Sequence, residues 1–334
     1  MKMKKQCNKI TYRIAYFDVA RSLLMIWIVG VWHLSNYAIN SPLFLDWTNC
    51  TFITYGVLAT FSYISGWFAA KANNEVEFKL KELLRYYFDR ISRIYPLYVI
   101  AVMLFFIFGL LSADQILPST LLYFEFTDNA PITVWYIGVL FVYYFLAPFI
   151  ASVDNFFLKI VMCVMLNVGG VIGVQQFGWD KRLAFYFLFF WLGMCDFSIS
   201  QALNKVDTEK FNSKLLLVAF CFILPFFVRK TQWNLMYITC FCSFVIIIIM
   251  EISKILCQIK LIAKVAYFIS YSSMCAYLFH RIIYKVSNLL LGKSHFISAF
   301  LILFPMTIAM CYFIQKMYNK IILVISKNDQ PHSK

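Results

Sequence analysis

Apolar runs, each long enough to form a bilayer-spanning helix, recur along almost the whole chain and are separated by short polar connections. A transmembrane helix needs about 20 predominantly apolar residues. Windows of about 19 residues give about ten spans, of which the seventh is short and the tenth long, so that nine or eleven also fit. They run approximately Val19–Ile39, Leu45–Ala70, Ile91–Leu111, Thr133–Ile150, Leu158–Phe177, Leu183–Ile199, Lys214–Val228, Trp233–Ile252, Ile262–Tyr284 and Phe296–Ile325. The sequence predicts an all-α, polytopic membrane helix bundle.

Composition excludes the soluble and disordered classes. The chain is 62% hydrophobic and 14% charged, whereas soluble domains are about 45–50% apolar and about 25% charged. A single globular core of this size cannot bury this excess of apolar residues. The net charge of +14 would suggest nucleic acid in a soluble protein. Here the charges cluster between apolar runs, so we expect membrane lipids as neighbours and no nucleic-acid partner.

The distribution of Lys and Arg predicts the orientation. Most of them fall at residues 1–13, at residues 71–93, at the C-terminal end and in connections on the same side of the predicted bundle. By the positive-inside bias, both termini are cytoplasmic, with tails at 1–13 and 326–334. The loop 112–132 contains no Lys or Arg but carries Asp114, Glu125 and Asp128, so we expect it to be extracytoplasmic and to face an acceptor.

The chain is expected to form one integral membrane domain over residues 1–334. No Pro-, Gly- or Ser-rich linker and no repeat divides it. The basic N-terminus leads into a run long enough to span the membrane, so no cleaved signal is expected. The ten cysteines have no metal-ligand spacing, and no metal is expected.

Three ionisable residues lie in the first predicted span or at its edge: Asp18, Arg21 and His33. Ionisable groups inside a membrane are costly and are functional hypotheses by default. Asp18 and Arg21 are one helical turn apart and can pair, functionally or as an interfacial anchor. His33 lies about 18 Å beyond Arg21. It is either a neutral histidine hydrogen-bonded to Ser35 or a neighbouring helix, or a base that takes a proton from a hydroxyl.

Further candidates lie at other spans. Arg90 and Arg93 share one helical face at the third span's cytoplasmic end, where two guanidiniums suit a phosphate-bearing ligand or simply reach lipid headgroups. His280 lies in the ninth span, in the outer half of the membrane. Gly66 ends the second span and allows close helix approach. His295 and His332 receive no role.

Five motifs, taken in order, resemble the acyltransferase-3 family of integral membrane acyltransferases. The resemblance covers about residues 12–315. The motifs are Asp18-Val-Ala-Arg21 with an apolar run to His33, Phe61-Ser-Tyr-Ile-Ser65-Gly66-Trp67, Arg90-x-x-Arg93-Ile-Tyr95-Pro96, Val134-Trp135-Tyr136 running to Ala147-Pro148, and Tyr271-Ser272 leading to Tyr277-Leu278-Phe279-His280.

The resemblance implies transfer of an acyl group, usually acetyl from acetyl-CoA, to a sugar hydroxyl of a cell-envelope glycan such as O-antigen, capsule or exopolysaccharide. It also implies a bacterial inner membrane location. The acceptor and the acyl group, acetyl or succinyl, stay open.

The same resemblance assigns the site residues. His33 would be the base or a transient acyl carrier, with Arg21 and His280 in the catalytic set. Arg90 and Arg93 would hold the nucleotide of acetyl-CoA. His280 would orient the acceptor or lie opposite His33. The aromatic rings of Trp135 and Tyr136 would stack on the sugar.

One departure concerns the first helix. The family pattern places ten residues between its arginine and its histidine, but eleven lie between Arg21 and His33. In an α-helix, eleven positions return to within about 20° of the same face, whereas twelve end about 120° away. Either this helix contains a π-type bulge, or the correspondence at Arg21 is imperfect.

The alternative to acyl transfer is a non-enzymatic membrane protein. A glycan flippase, a polymerase-like envelope protein or another transporter would also be polytopic, basic and aromatic. Such a transporter is expected to show symmetry between its halves and Gly- or Pro-broken helices at the midplane. Neither feature is evident in the sequence, which favours the acyltransferase.

Overall fold

A computed structural model describes residues 15–42, 47–73, 79–127, 130–203 and 234–328. Within these ranges the structure is helical, and its extended pairing is limited to an isolated bridge between Ile39 and His295. The prediction of an all-α fold is confirmed. The predicted span Lys214–Val228, the tail 1–13, Asp128 and His332 lie outside the described residues.

The main helices follow the predicted spans closely. Long apolar runs form them because a helix satisfies every backbone polar group within its own segment. They are α1 (Ala15–His33), α2 (Trp47–Asn73), α3 (Leu80–Ile107), α4 (Ala113–Thr120), α5 (Trp135–Ala151), α6 (Phe156–Phe177), α7 (Lys181–Leu203), α8 (Asn234–Leu256), α9 (Lys260–Leu291) and α10 (Phe304–Asn328). A 3₁₀ turn, Tyr123–Phe126, lies between α4 and α5.

Among the described residues, eight helical segments are long and apolar enough to cross a membrane, and α5 is a shorter apolar helix. The last of the eight, Phe296–Val324, includes α10 and the π-helical segment Ala299–Leu303 that precedes it. The chain is therefore an integral membrane protein. The number of spans and the orientation of the termini stay predictions.

The second half of α1 is a π-helix over Ile26–His33. This confirms the π-type alternative for the spacing between Arg21 and His33. A π-helix closes i→i+5 hydrogen bonds and so advances by only about 80° per residue. The extra residue is absorbed, and His33 returns to within about 40° of the Arg21 face. Gly30 lies within this segment, and a Cβ there would come within 3.1 Å of the Phe304 ring.

The described residues divide into two compact units. Unit 1 comprises the described parts of Met1–Cys50, Asp89–Phe108 and Met250–Lys334. Unit 2 comprises the described parts of Thr51–Phe88 and Gly109–Ile249. Both units combine segments that are distant in sequence, and α3 contributes to both. No linker in the sequence marks the boundary between the two units. The single integral membrane domain stays a prediction.

In unit 1, hydrogen bonds between buried or half-buried groups join α1 to α9. The Ser22 hydroxyl donates to the carbonyl of Ala266 at 2.7 Å. The Ser270 hydroxyl donates to the Asp18 carboxylate at 2.8 Å, so Asp18 has a partner on α9 besides its electrostatic interaction with Arg21. The Tyr284 hydroxyl donates to the carbonyl of Val29 at 3.1 Å. These bonds fix the position of α1 along α9.

In unit 2, glycines bring α2 and α7 into close contact. A Cβ at Gly66 would lie 1.8 Å from the carbonyl oxygen of Phe190, and one at Gly193 would lie 2.0 Å from that of Tyr63. Small residues at such positions let membrane helices approach backbone to backbone. The close approach expected at Gly66 is observed, but Gly66 does not end the helix, because α2 continues to Asn73.

Candidate functional site

The centre of the candidate site is a pair of histidines in unit 1. His33 is the last residue of the π-helical segment, and His280 lies within α9. His33 Nδ1 and His280 Nε2 are 2.6 Å apart, and the two ring planes are parallel to within 4°. His280 is fully buried, whereas His33 keeps 7% of its surface exposed. Of the two residues, only His33 retains exposed surface.

The hydrogen-bond partners assign the tautomers. His280 Nδ1 lies 2.8 Å from the carbonyl oxygen of Ala276. A carbonyl only accepts, so His280 Nδ1 carries the proton and, in a neutral ring, Nε2 is an acceptor. The proton of the 2.6 Å contact then belongs to His33 Nδ1. This leaves a lone pair on His33 Nε2, which no described residue engages in a hydrogen bond. That atom can accept a proton.

This arrangement places two predicted residues together. His280 lies against His33, one of the two positions expected for it, and it has no exposed surface. The Ser35 hydroxyl donates to the carbonyl of Trp32 at 2.8 Å, so the expected alternative bond from Ser35 to His33 is not formed. The neighbouring helix supplies the partner of His33 instead.

Arg90 and Arg93 line a cavity of about 520 Å³ within unit 1. Arg90 is half-buried and Arg93 is exposed. Tyr271, Met274, Gln315 and Asn319 also line the cavity, and the lining residues include no carboxylate. Two guanidiniums without a competing acid attract an anionic group. The cavity is therefore suited to a phosphate-bearing ligand.

A polar network, which sequence reasoning missed, lies beside these arginines. Asn319 Nδ2 donates to the Tyr271 hydroxyl at 2.8 Å, and Gln315 Nε2 donates to Asn319 Oδ1 at 2.9 Å. The Cys275 thiol donates to Gln315 Oε1 at 3.1 Å. Gln315 and Asn319 are one helical turn apart in an apolar helix. This spacing of two polar residues is the sequence feature that could have predicted the network. The network places amide and hydroxyl groups beside the two arginines.

The remaining predicted residues are placed as follows. Arg21 is half-buried on α1, where it interacts electrostatically with Asp18. Tyr136 is 4% exposed, and its hydroxyl lies 3.0 Å from that of Ser62, so its ring contributes to packing between α2 and α5. Trp135 is half-buried and carries the Arg182 guanidinium over its ring, 3.9 Å from the centroid. Of this aromatic pair, Trp135 is the one beside a charged group.

Within the described part of the chain, no group of three or more His, Cys, Asp or Glu side chains is arranged to hold a metal ion.

Comparison with known proteins gives one match. The sequence model of the acyltransferase-3 family, described as an acyltransferase domain, matches residues 14–316. No curated protein and no solved structure matches the chain at a significant level. The match contains every predicted site residue from Arg21 to His280.

Proposed function

Because this chain belongs to the acyltransferase-3 family and is a membrane acyltransferase, we propose that it moves an acetyl group from cytoplasmic acetyl-CoA to a carbohydrate hydroxyl. The acceptor is an envelope glycan or lipid-linked sugar, and the membrane is the bacterial inner membrane. The observation that carries this proposal is the histidine pair, since the contact with His280 fixes the tautomer of His33 and leaves the lone pair of His33 Nε2 to accept a proton.

His33 Nε2 takes the proton of the sugar hydroxyl while the hydroxyl oxygen attacks the thioester carbonyl. The tetrahedral intermediate collapses, the C–S bond breaks and the electron pair leaves on sulfur. The imidazolium of His33 then returns the proton to the thiolate. The products are an acetyl ester and the free thiol of CoA, and His33 is neutral again. His280 is a positioning residue in this scheme, because it holds the proton of His33 on Nδ1.

Arg90 and Arg93 hold the phosphates of the donor in this proposal. A guanidinium binds phosphate through two parallel N–H bonds, and the residues that line this cavity include no carboxylate. Gln315, Asn319 and Tyr271 supply further hydrogen bonds to the nucleotide or the pantetheine arm. The predicted orientation puts these helix ends on the cytoplasmic side, where acetyl-CoA is made.

The test is transfer of radiolabelled acetyl from acetyl-CoA into glycan, in membranes that carry wild type or His33→Ala. Loss of a general base costs about 10²–10⁴-fold in rate, so His33→Ala membranes are expected to give no detectable label. The control is His295→Ala, since His295 hydrogen-bonds Asn40 in a loop. Retained label with His33→Ala at equal expression would remove His33 from the mechanism.

A second readout separates the enzyme from the transporter class. CoA is expected to raise the unfolding temperature of the purified protein, because a ligand that binds the folded state stabilises it. Absence of both labelled glycan and CoA stabilisation would favour a glycan flippase, polymerase-like protein or other transporter. Acid quenching during turnover tests the acyl-carrier alternative, which predicts label on the protein that depends on His33.

A further inference from the structure

Unit 2 contains a second cavity, of about 690 Å³. Its volume falls in the range of about 300–1,000 Å³ that small-molecule sites occupy. The lining contains three aromatic side chains, Tyr55, Trp179 and Phe185, and three charged ones, Asp180, Lys181 and Arg182. The Tyr55 and Phe185 rings meet edge to face at 5.9 Å. The cavity thus combines apolar ring surface with hydrogen-bonding groups.

The turn between α6 and α7 supplies part of the lining of this cavity. Gly178 ends α6 with φ +68°, a left-handed conformation that glycine adopts without strain. Trp179 then lies against Gly173, where a Cβ would be 2.2 Å from the indole ring. Asp180 caps α7, its carboxylate accepting from the amide of Arg182 at 2.9 Å. The turn therefore holds Trp179 and Asp180 in fixed positions.

The charge of Arg182 is already balanced. Its Nε donates to both carboxylate oxygens of Asp180 at 2.9 Å, and its Nη2 forms an ion pair with the same group. The guanidinium also lies over the Trp135 ring. With Arg182 neutralised, Lys181 is the remaining cation among the lining residues. A polyphosphate would find little attraction here, in contrast to the cavity at Arg90 and Arg93.

The composition of this cavity instead suits a carbohydrate. A sugar presents an apolar C–H face, which packs on aromatic rings, and a rim of hydroxyls, which bind both carboxylates and cations. Under the predicted orientation, the C-terminal end of α6 and the N-terminal ends of α2, α7 and α8 face the extracytoplasmic side. That is the side on which an envelope glycan is found.

We propose that the cavity over the α6–α7 turn binds the carbohydrate acceptor, with Tyr55, Trp179 and Phe185 against the sugar rings and Asp180, Lys181 and Arg182 at the hydroxyls. This inference rests on the proposed function for the identity of its ligand. It requires that filling the cavity abolish sugar binding while leaving CoA binding intact.

The experiment fills the cavity with one added ring. Val174 lines it, whereas Val171, one helical turn earlier on α6, is 40% exposed and does not. Val174→Trp is compared with the matched control Val171→Trp. The probe is the oligosaccharide mixture released by mild acid from the envelope polysaccharide of the cells that make the protein. Binding to purified protein is measured by saturation-transfer NMR, and CoA binding by thermal stabilisation.

Wild type and Val171→Trp are expected to bind the oligosaccharides, and Val174→Trp is expected to bind at least tenfold more weakly with CoA stabilisation unchanged. Tyr55→Phe, which only removes a hydroxyl, is expected to weaken binding about threefold to tenfold. Equal binding by Val174→Trp and wild type, or no binding by wild type, would overturn the proposal. Sugar binding by wild type without acetyl transfer would instead overturn the proposed function and leave this cavity a sugar site.

Discussion

The two cavities contain the same residue type, arginine, in opposite electrostatic settings. In unit 1, Arg90 and Arg93 line a space with no carboxylate among its lining residues. In unit 2, Arg182 is held by Asp180 and lies over Trp135. Two guanidiniums in a lining without a carboxylate attract phosphate, whereas a guanidinium paired with a carboxylate can instead exchange hydrogen bonds with hydroxyls. The partner of an arginine, more than the arginine itself, decides which ligand a cavity suits.

The largest effect is expected at the histidine pair of unit 1. His280→Ala removes the acceptor for His33 Nδ1–H, so the tautomer is no longer fixed, and kcat is expected to fall about 100-fold, within the range for general acid–base catalysis. The affinity for CoA is expected not to change. His280→Gln restores an acceptor oxygen and is expected to recover part of kcat. Equal losses for Ala and Gln would reduce His280 to a packing residue.

The next effect concerns the two arginines of the unit 1 cavity. Arg90→Ala and Arg93→Ala are each expected to weaken CoA binding about 10- to 100-fold, because a hydrogen bond to a charged group contributes about 1.5–3 kcal/mol. Lys at either position is expected to recover only part of the affinity, since it lacks the guanidinium fork. Thermal stabilisation by CoA measures the loss. Arg85→Ala, an exposed arginine on the same helix, is the control, and a comparable loss there would indicate a general charge effect.

A third effect tests whether the packing of unit 2 depends on close helix contact. Gly66→Ala places a methyl group against the carbonyl of Phe190, so α2 and α7 must move apart. The expected loss is about 1–3 kcal/mol in the free energy of unfolding. Gly169→Ala is the control, because nothing lies within 4 Å of a Cβ there. Thermal unfolding in detergent measures both, and equal unfolding temperatures would contradict the role assigned to Gly66.

A fourth effect is a pH dependence of stability in unit 2. Burial raises the pKa of Glu125 well above its ordinary value of 4.5, and Asp180 adds to the shift while Arg182 and the amide of Val139 oppose it. From pH 4.5 upward, the unfolded chain therefore loses this proton before the folded protein does. Stability then falls by about 1.4 kcal/mol per pH unit until the folded pKa is reached.

Glu125→Gln keeps the side chain neutral at all pH values and is expected to remove this slope. Unfolding temperatures measured across the pH range for wild type and variant test the effect. Asp154→Asn, at an exposed acid, is the control. A slope that persists in Glu125→Gln would assign the pH dependence to another group.

Much of the fold could be predicted, because a helix that crosses the hydrocarbon core of a membrane needs a long run of apolar residues. Every described long helix matches a predicted span, and the ends differ by up to eight residues, except that α3 begins eleven residues earlier. That amphipathic first part of α3 is too polar for a hydropathy window to include. The π-helix could also be predicted from the sequence, because an eleven-residue gap between Arg21 and His33 is inconsistent with a shared face on a regular α-helix.

The sequence by itself determined the membrane class, the helices and the chemical types available to the site, because apolar length and the cost of a buried charge are local properties. Only the tertiary structure decided which of these residues meet. His33 and His280 are 247 positions apart, and their shared proton depends on the packing of α1 against α9. Likewise, Asp180 neutralises Arg182 while no acid lines the cavity at Arg90 and Arg93. Such pairings arise from three-dimensional contacts, which hydropathy and motif spacing do not encode.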